Sequence, residues 1–230
     1  MDVLGEGEVF LADPVTGDVS PADVASFNEG YASVRLRLGR AGAKFLVVRK
    51  GSVRTGGGRD VAAVREIAVP GPWRISFAKG WGRDEPLQTE RLMSWHELPG
   101  SQEAKSYSGE AVYRATFTLD AEAARAERIV LDLGEVECVA EVKVNGSYVG
   151  RAWTWPYSFD VKAWARPGAN ALEIAVVGSW HNRLRYDATL PEAQRLTWTL
   201  GYPNPQKSPL QPSGLLGPVK VVLQNVRDML

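Results

Sequence analysis

Short runs of alternating or β-branched residues, separated by Gly, Pro, Asn and Asp, recur along almost the whole chain. Alternation with a period of two places successive side chains on opposite faces of a strand, so these runs predict half-buried β-strands. Helical periodicity is nearly absent, because only residues 120–127 (DAEAARAE) form a good helix-forming run, enough for about two turns. The pattern therefore predicts an all-β fold of the sandwich or barrel type.

The strand-like runs fall into two groups. Residues 1–52 contain EVFLAD, YASVRLRLG and KFLVVRKG with a turn at 14–18, and they predict a small β subdomain. Residues 53–69 are interpreted as a linker or loop, because the segment 52–60 (SVRTGGGRD) is Gly-rich and lacks an apolar anchor. Residues 70–230 carry the longer series of strands and predict an antiparallel jelly-roll β-sandwich.

Two turn signals organise this larger region. Asn145-Gly146 separates two strand-like runs, and this pair readily adopts the positive φ angles of a type I′ hairpin turn. The tetrapeptide PGAN at 167–170 predicts a second turn before the run NALEIAVV. These positions specify architecture before any function.

The charge balance argues against polyanionic partners. Lys plus Arg and Asp plus Glu both number 27, so no net field attracts nucleic acid or an anionic membrane. No stretch approaches the ~18 apolar residues of a membrane span. The N-terminus lacks the basic and apolar regions of a secretory signal, so the chain as it stands is expected to be cytoplasmic. As a fragment of a longer enzyme it would be secreted or periplasmic.

Tryptophan is unusually frequent, since eight Trp exceed the seven Tyr and the six Phe. Sugars present apolar C–H faces ringed by hydroxyls, so a sugar site combines a flat aromatic surface with Asn, Arg, Glu or His side chains. The segment 180–183 (WHNR) has this composition. The candidate carbohydrate-binding residues are Trp81, Trp95, Tyr107, Trp180, Asn182, Arg183, Trp198 and Tyr202.

Some of these aromatic residues have a competing structural interpretation. The ends of the sandwich would be closed by three indoles, those of Trp153, Trp155 and Trp180. In that case Asn182 and Arg183 would fix loops to backbone carbonyls. Exposure is expected for four residues that lie among Gly and Pro, namely Trp81, Trp95, Trp198 and Tyr202.

Other reactive groups give weaker signals. Glu135 and Glu137 would share one face of a strand about 7 Å apart, and paired carboxylates are what glycosidases use, so these two and Glu110 are weak catalytic candidates. Cys138 lies in an apolar stretch and is interpreted as a small core residue. No His, Cys or carboxylate spacing typical of a metal site is present, and no cofactor is expected.

Four segments in a fixed order carry a family resemblance. They are SGEAVYRATFTL at 108–119, IVLDLGEVECVAEVKVNGSYVGRAWTWPYSFDV at 129–161, ARPGANALEIAVVGSWHNRL at 165–184 and SGLLGPVKV at 213–221. Together they resemble the galactose-binding-like, sugar-binding domain of family 2 glycoside hydrolases, as found at the C-terminal end of family 106 α-L-rhamnosidase-like proteins. The resemblance covers residues 70–224, and FLADPVTGDVSP with FLVVRKG resembles the small β-domain that precedes it there.

The resemblance implies a non-catalytic carbohydrate-binding or accessory module, whose partners are an oligosaccharide or polysaccharide and a catalytic domain of a longer parent chain. In those relatives catalysis lies on a separate (β/α)₈ barrel of at least ~200 residues, so no catalytic carboxylate is transferred to this chain. The resemblance also allows a structural calcium ion. Two alternatives stay open: a small stand-alone glycoside hydrolase acting on plant or bacterial glycans, and a purely structural domain that packs on a catalytic barrel.

Overall fold

The computed structural model describes residues 1–4, 7–15, 17–36, 38, 42–51 and 59–228. The chain forms two compact units, one comprising Met1–Val64 with Gln224–Leu230 and the other Arg65–Leu223. The strands, in chain order, are β1 (Asp2–Leu4), β2 (Glu8–Ala12), β3 (Val19–Pro21), β4 (Asp23–Asn28), β5 (Tyr31–Arg35), β6 (Phe45–Arg49), β7 (Arg59–Ala68), β8 (Trp73–Phe77), β9 (Leu87–Thr89), β10 (Glu110–Leu119), β11 (Arg128–Asp132), β12 (Glu135–Glu137), β13 (Val139–Val144), β14 (Ser147–Ala152), β15 (Ser158–Asp160), β16 (Gly168–Val177), β17 (Gly214–Gly217) and β18 (Lys220–Asp228).

Helical structure in the described residues is limited to short segments. Two are α-helices, α1 (Gln102–Lys105) and α2 (His181–Asp187), and three are 3₁₀ turns, at Trp95–Glu97, Ala123–Arg125 and Glu192–Gln194. The prediction of an all-β, antiparallel sandwich architecture is confirmed.

The smaller unit contains two three-stranded sheets, with the orders β1-β5-β4 and β3-β2-β6. Its core is small, comprising the buried side chains of Val9, Ala22, Val24, Ala32 and Val34. The three strands predicted in this region appear as β2, β5 and β6, and Gly17, with a φ of 77°, lies in the predicted turn.

The larger unit is a β-sandwich. Its six-stranded sheet has the order β14-β13-β16-β10-β8-β9, and a four-stranded sheet has the order β15-β11-β18-β7. One hydrophobic core contains inward side chains of the first sheet, such as Tyr113 and Ile174, together with Ile129, Leu131 and Val221 of the second. Each such burial removes apolar surface from water and stabilises the fold by about 1.5–3 kcal/mol.

The two predicted turns meet at one end of this sandwich. Asn145 and Gly146 have φ angles of 52° and 82°, as a type I′ turn requires. The Asn145 amide donates to the Oδ1 atom of Asn170 at 2.9 Å, and the buried Asn170 side chain also bonds Arg166 and Gly168. The second turn therefore braces the first.

Two expectations about local structure are wrong. The predicted linker over 53–69 is a strand at 59–68, where the chain forms β7 beside β18. Its Gly-rich part at 53–58, like residue 52, lies outside the described residues. In place of the predicted boundaries at residues 52 and 70, the first part of the smaller unit ends at Val64 and the larger unit begins at Arg65. The run 120–127 forms only the 3₁₀ turn Ala123–Arg125, because the Asp120 side chain accepts from the Ala123 N–H and the backbone leaves the helical region at Ala126, where ψ is 145°.

Candidate functional site

The strand register of the six-stranded sheet brings several connecting segments to one end of the sandwich. Val177, the last residue of β16, pairs with Glu110 and Val139, the first residues of β10 and β13. The last residue of β14, Ala152, pairs with Ala140 beside them. The connecting segments 78–86, 90–109, 153–157 and 178–213 therefore begin or end at this end of the strands, and together they are called the tryptophan-bearing end.

Four indoles of this end are exposed to solvent. The exposed fractions are 56% for Trp153, 41% for Trp155, 43% for Trp180 and 82% for Trp198. The interpretation of Trp153, Trp155 and Trp180 as buried plugs is therefore wrong. Trp81 is half-buried and meets Trp180 edge to face, with ring centroids 4.7 Å apart and an interplanar angle of 67°.

Trp95 and Tyr107 lie in the core instead. Both are 0% exposed, and their rings pack edge to face at 5.1 Å. The Trp95 Nε1 atom donates to the Tyr113 hydroxyl at 2.5 Å, and burial raises the pKa of Tyr113 to about 12. The expected exposure of Trp95 is wrong because Gly178 and Gly214 lack the side chains that would otherwise occupy the space of its indole.

Tyr107 is likewise unavailable to a ligand. Burial raises the pKa of its phenol to about 12, and the hydroxyl donates to the carbonyl of Glu110 and accepts from the Ala78 N–H. The side chains of Trp95 and Tyr107 thus pack inside the core and support the loops of this end.

Helix α2 holds the segment that carries Trp198. Arg183 is 0% exposed, and its Nη2 atom lies 2.7 Å from the Oδ1 atom of Asp187, one turn along the helix and also 0% exposed. The Arg183 Nη1 atom reaches Glu103 at 3.0 Å. On its other oxygen, Asp187 accepts from the backbone N–H groups of Leu196 and Thr197 and from the Thr197 hydroxyl, at 3.1, 2.8 and 2.5 Å.

The charge state of Asp187 follows from these contacts. Burial alone would raise the pKa of Asp187, but the hydrogen bonds from Thr197 and Arg183 outweigh burial and lower the pKa below its ordinary value of 3.8. The carboxylate is therefore ionised at neutral pH and fixes the chain immediately before Trp198.

Other side chains of α2 fix the return segment. The Asn182 amide exchanges two hydrogen bonds of 2.8 Å with the backbone of Gln211. Arg185 donates to the carbonyls of Pro205 and Ser208, and a His181 ring nitrogen lies 3.2 Å from the Pro209 carbonyl. The candidate sugar ligands Asn182 and Arg183 are thus occupied within the protein. Asn182 fixes a loop to a backbone carbonyl, as the structural interpretation expected, whereas Arg183 pairs with the carboxylates of Glu103 and Asp187.

An alternating run missed by the sequence reasoning surrounds Trp198. Leu196 and Leu200 are 49% and 94% exposed, so three large apolar side chains point to solvent from one short segment. The pattern LTWTL at 196–200 is the available signal, although alternation of this kind is more typical of a strand. Tyr202 is half-buried, its hydroxyl donates to the Thr197 carbonyl at 2.6 Å and Arg195 lies 4.8 Å above its ring.

The carboxylates considered for catalysis lie on the surface. Glu135 and Glu137 flank the buried Val136 on β12 and are both exposed, and Glu110 is exposed at the start of β10. Their catalytic use stays a prediction. Cys138 is half-buried rather than a core residue, and burial raises the pKa of its thiol, which disfavours the thiolate.

Across the part of the chain that the structure describes, no three His, Cys, Asp or Glu side chains gather as they would around a metal ion. Calcium can also be coordinated by backbone carbonyl oxygens, which the arrangement of side chains does not test. The calcium ion that the resemblance allows therefore stays a prediction. None of the described helices is long and apolar enough to span a membrane.

Comparison with known proteins finds a matching domain family for most of this end. Residues 98–209 match the family described as glycosyl hydrolase 2 galactose-binding domain-like. A putative beta-glucuronidase of Formosa agariphila is 30% identical over an alignment of 179 residues that covers 67% of this chain and 15% of that protein. The matched family region contains Trp153, Trp155, Trp180 and Trp198.

Solved structures show the same fold. A rhamnosidase from Novosphingobium sp. PP1Y superposes with a TM-score of 0.80 at 30% identity, over 97% of this chain and 21% of that chain. The apo β-glucuronidase from Ruminococcus gnavus shares the fold alone, with a TM-score of 0.50 at 20% identity over 72% of this chain and 29% of that one. This chain thus spans 15% of the curated relative and 21% of the rhamnosidase.

Proposed function

We propose that the larger unit, in which residues 98–209 match the glycosyl hydrolase 2 galactose-binding-like domain family, is a non-catalytic carbohydrate-binding module of a glycoside hydrolase. Its tryptophan-bearing end contacts the sugar. The observation that carries this proposal is the group of four indoles, each at least 41% exposed, that gathers at one end of the sandwich.

The physical chemistry of these indoles supports a sugar ligand. An exposed indole offers a flat apolar face for the C–H groups of a sugar ring, and its N–H can donate to a hydroxyl. The exposed Trp198 follows directly on residues fixed by Asp187, and Trp180 packs on Trp81, so two of the faces are held before a ligand arrives. Preorganisation of this kind lowers the entropy lost on binding.

A titration of the intact chain tests the proposal. Rhamnose- and galactose-containing oligosaccharides are added while tryptophan fluorescence is followed, and we expect saturable binding near the millimolar range, about −4 kcal/mol. Trp198→Ala and Trp180→Ala should each weaken binding. The matched control is Tyr31→Ala, which removes a 49% exposed aromatic ring from the smaller unit and should bind like the parent chain.

Two results would contradict this function. One is the absence of any fluorescence response across the neutral oligosaccharides. The other is equal affinity of the parent chain and both tryptophan variants, which would place the sugar elsewhere.

The run of apolar side chains around Trp198 favours a second candidate function, a docking face for the catalytic domain of a longer parent protein. Leu200 is 94% exposed and Leu196 is 49% exposed, and aliphatic side chains contribute less than indoles to a sugar site. The short share of each relative that this chain spans is consistent with such an arrangement.

A double variant separates the two candidates. Leu196→Ser with Leu200→Ser should leave the sugar titration unchanged if the indoles alone bind sugar. If the segment docks a catalytic domain, the same variant should lose binding to that domain, produced separately and measured by calorimetry. Retained binding to the domain would contradict the docking function.

A further inference from the structure

A groove lies on the outward face of the six-stranded sheet, away from the tryptophan-bearing segments. Its volume is about 750 Å³, and it is lined by Arg114, Lys143 and Glu173 on three neighbouring strands and by the segment 70–72. These side chains alternate with buried neighbours on their strands, so they face solvent by the pleat of the sheet.

The strand register places a continuous row of polar side chains across this face. Arg74 on β8 pairs with Arg114 on β10, Arg114 pairs with Glu173 on β16, and Glu173 pairs with Lys143 on β13. Gln88 on β9 and Tyr148 on β14 extend the row at its two ends. With neighbouring strands about 4.8 Å apart, the six positions span roughly 24 Å.

The row carries a local excess of positive charge. Glu173 accepts from Arg114 Nε at 2.9 Å and from Lys143 Nζ at 3.2 Å, so two cations share one carboxylate. Within the described residues Arg74 forms no ion pair, and three cations with one carboxylate leave a net charge of +2. Because the whole chain has no net charge, this positive charge is a local property of the row.

Glu173 is held ionised by its neighbours. Partial burial would raise its pKa, but the hydrogen bond from Lys143 and the charge of Arg114 outweigh burial, and the pKa of Glu173 is lowered. Beside the row the groove is open, because a side chain added at Gly146 would meet no atom within 4 Å and Thr116 and Ala171 are exposed.

We propose that this charged row binds an acidic glycan, a hydroxyl-rich sugar chain that carries carboxylate or sulfate groups. Arg74, Arg114 and Lys143 would donate to the anionic groups, while the fixed carboxylate of Glu173 would accept from sugar hydroxyls. A nucleic acid fits less well, because its phosphate backbone would meet that central carboxylate and the chain has a pI of about 6.8. The site is separate from the tryptophan-bearing end, so it stands even if the proposed function fails.

The experiment is an NMR titration of the ¹⁵N-labelled intact chain with a four-residue oligogalacturonate. Its matched ligand control is the same oligomer with every carboxylate methyl-esterified, which keeps all the sugar hydroxyls and removes the charge. A sulfated oligosaccharide of equal length forms a second arm, which distinguishes carboxylate from sulfate. We expect shifts of the amides of Arg114, Lys143 and Glu173 with at least one charged oligomer, and binding that weakens as salt is raised.

A variant sharpens the assignment. Arg74→Gln with Lys143→Gln should weaken binding of the charged oligomer about fivefold to tenfold, since exposed charge contacts are modest individually. The control is Arg128→Gln, which breaks an exposed ion pair on the other sheet at 3.0 Å and should bind like the parent chain.

Three results would overturn the inference. They are the absence of shifts with both charged oligomers, equal binding of the esterified oligomer, and shifts confined to the tryptophan-bearing end. Shift mapping on the parent chain needs no variant, so the inference remains testable if a variant fails to fold.

Discussion

The two ends of the larger sandwich connect its strands in different ways, one through short turns and the other through long segments. At one end the turns at Asn145-Gly146 and at 168–170 are tight and are joined by the buried amide of Asn170. At the tryptophan-bearing end the segments 90–109 and 178–213 are long and largely irregular, and buried charged side chains hold them.

The difference separates architecture from function. At the turn end the nearby Trp73 is buried and Trp164 is half-buried, so these rings serve the core. At the tryptophan-bearing end a buried ion pair, costly to desolvate, fixes the chain immediately before the exposed Trp198. Long segments tethered by side chains can present a surface that a two-residue turn cannot.

The largest expected effect comes from breaking that ion pair. Asp187→Asn leaves the Arg183 guanidinium buried beside a neutral partner and removes the charge from the Thr197 contacts, so we expect a loss of about 3 kcal/mol in the free energy of unfolding. Urea denaturation followed by circular dichroism measures it. The control Asp160→Asn acts on a pair that is 41% exposed on both sides and should cost under about 1 kcal/mol. Similar losses of unfolding free energy in both variants would contradict a larger stabilising role for the buried Arg183–Asp187 pair than for the exposed pair.

At the turn end, the strongest test is removal of the bracing amide. Asn170→Ala leaves the Arg166 backbone and the Asn145 side chain without their buried partner and should cost about 2 kcal/mol. The emission maximum of the exposed tryptophans should stay unchanged, because the loss is confined to the opposite end. A shift in that maximum would mean that the two ends are coupled.

Two tryptophans distinguish core from surface within the functional end. Trp95→Phe loses the hydrogen bond to Tyr113 and leaves space beside Gly178 and Gly214, so we expect a loss of about 1.5 kcal/mol. Trp198→Phe should change stability by less than about 0.5 kcal/mol, because its indole is 82% exposed. Thermal unfolding of both variants measures the contrast, and equal losses would contradict the assigned environments.

The smallest effect is a pH dependence. The pKa of Asp187 is lower in the folded protein than its ordinary value of 3.8, so its contribution to stability is present above about pH 4 and is lost as pH falls through the lowered pKa. The stability difference between the parent chain and Asp187→Asn should therefore shrink below that pH. A difference that stays constant from neutral pH to pH 3 would argue against an ionised Asp187 in the folded state.

Much of the fold follows from the sequence because local pattern and packing agree. The alternation in 110–119 fixes which side chains of β10 are buried, and Asn145-Gly146 fixes the hairpin that joins β13 to β14. The strand β7 was missed over 59–68 because a Gly-rich run adjoins it and obscures its start.

The candidate site was predicted only in part because exposure is a tertiary property. Trp95 and Trp198 have similar local sequence contexts, yet Trp95 enters the core through space left by Gly178 and Gly214, which lie far along the chain. Arg183 was a candidate sugar ligand because the segment 180–183 has the composition of a sugar site, but its guanidinium pairs with Asp187 and Glu103. The charged row on the sheet depends on a register across six strands, which single-strand patterns do not reveal.

The indole N–H resonances of the eight tryptophans give the most direct test of the central claim. During titration with a rhamnose- or galactose-containing oligosaccharide, the signals of Trp180 and Trp198 should move while those of the buried Trp73 and Trp95 stay in place. If all eight signals remain unmoved at saturating neutral sugar, the tryptophan-bearing end is not a carbohydrate-binding surface.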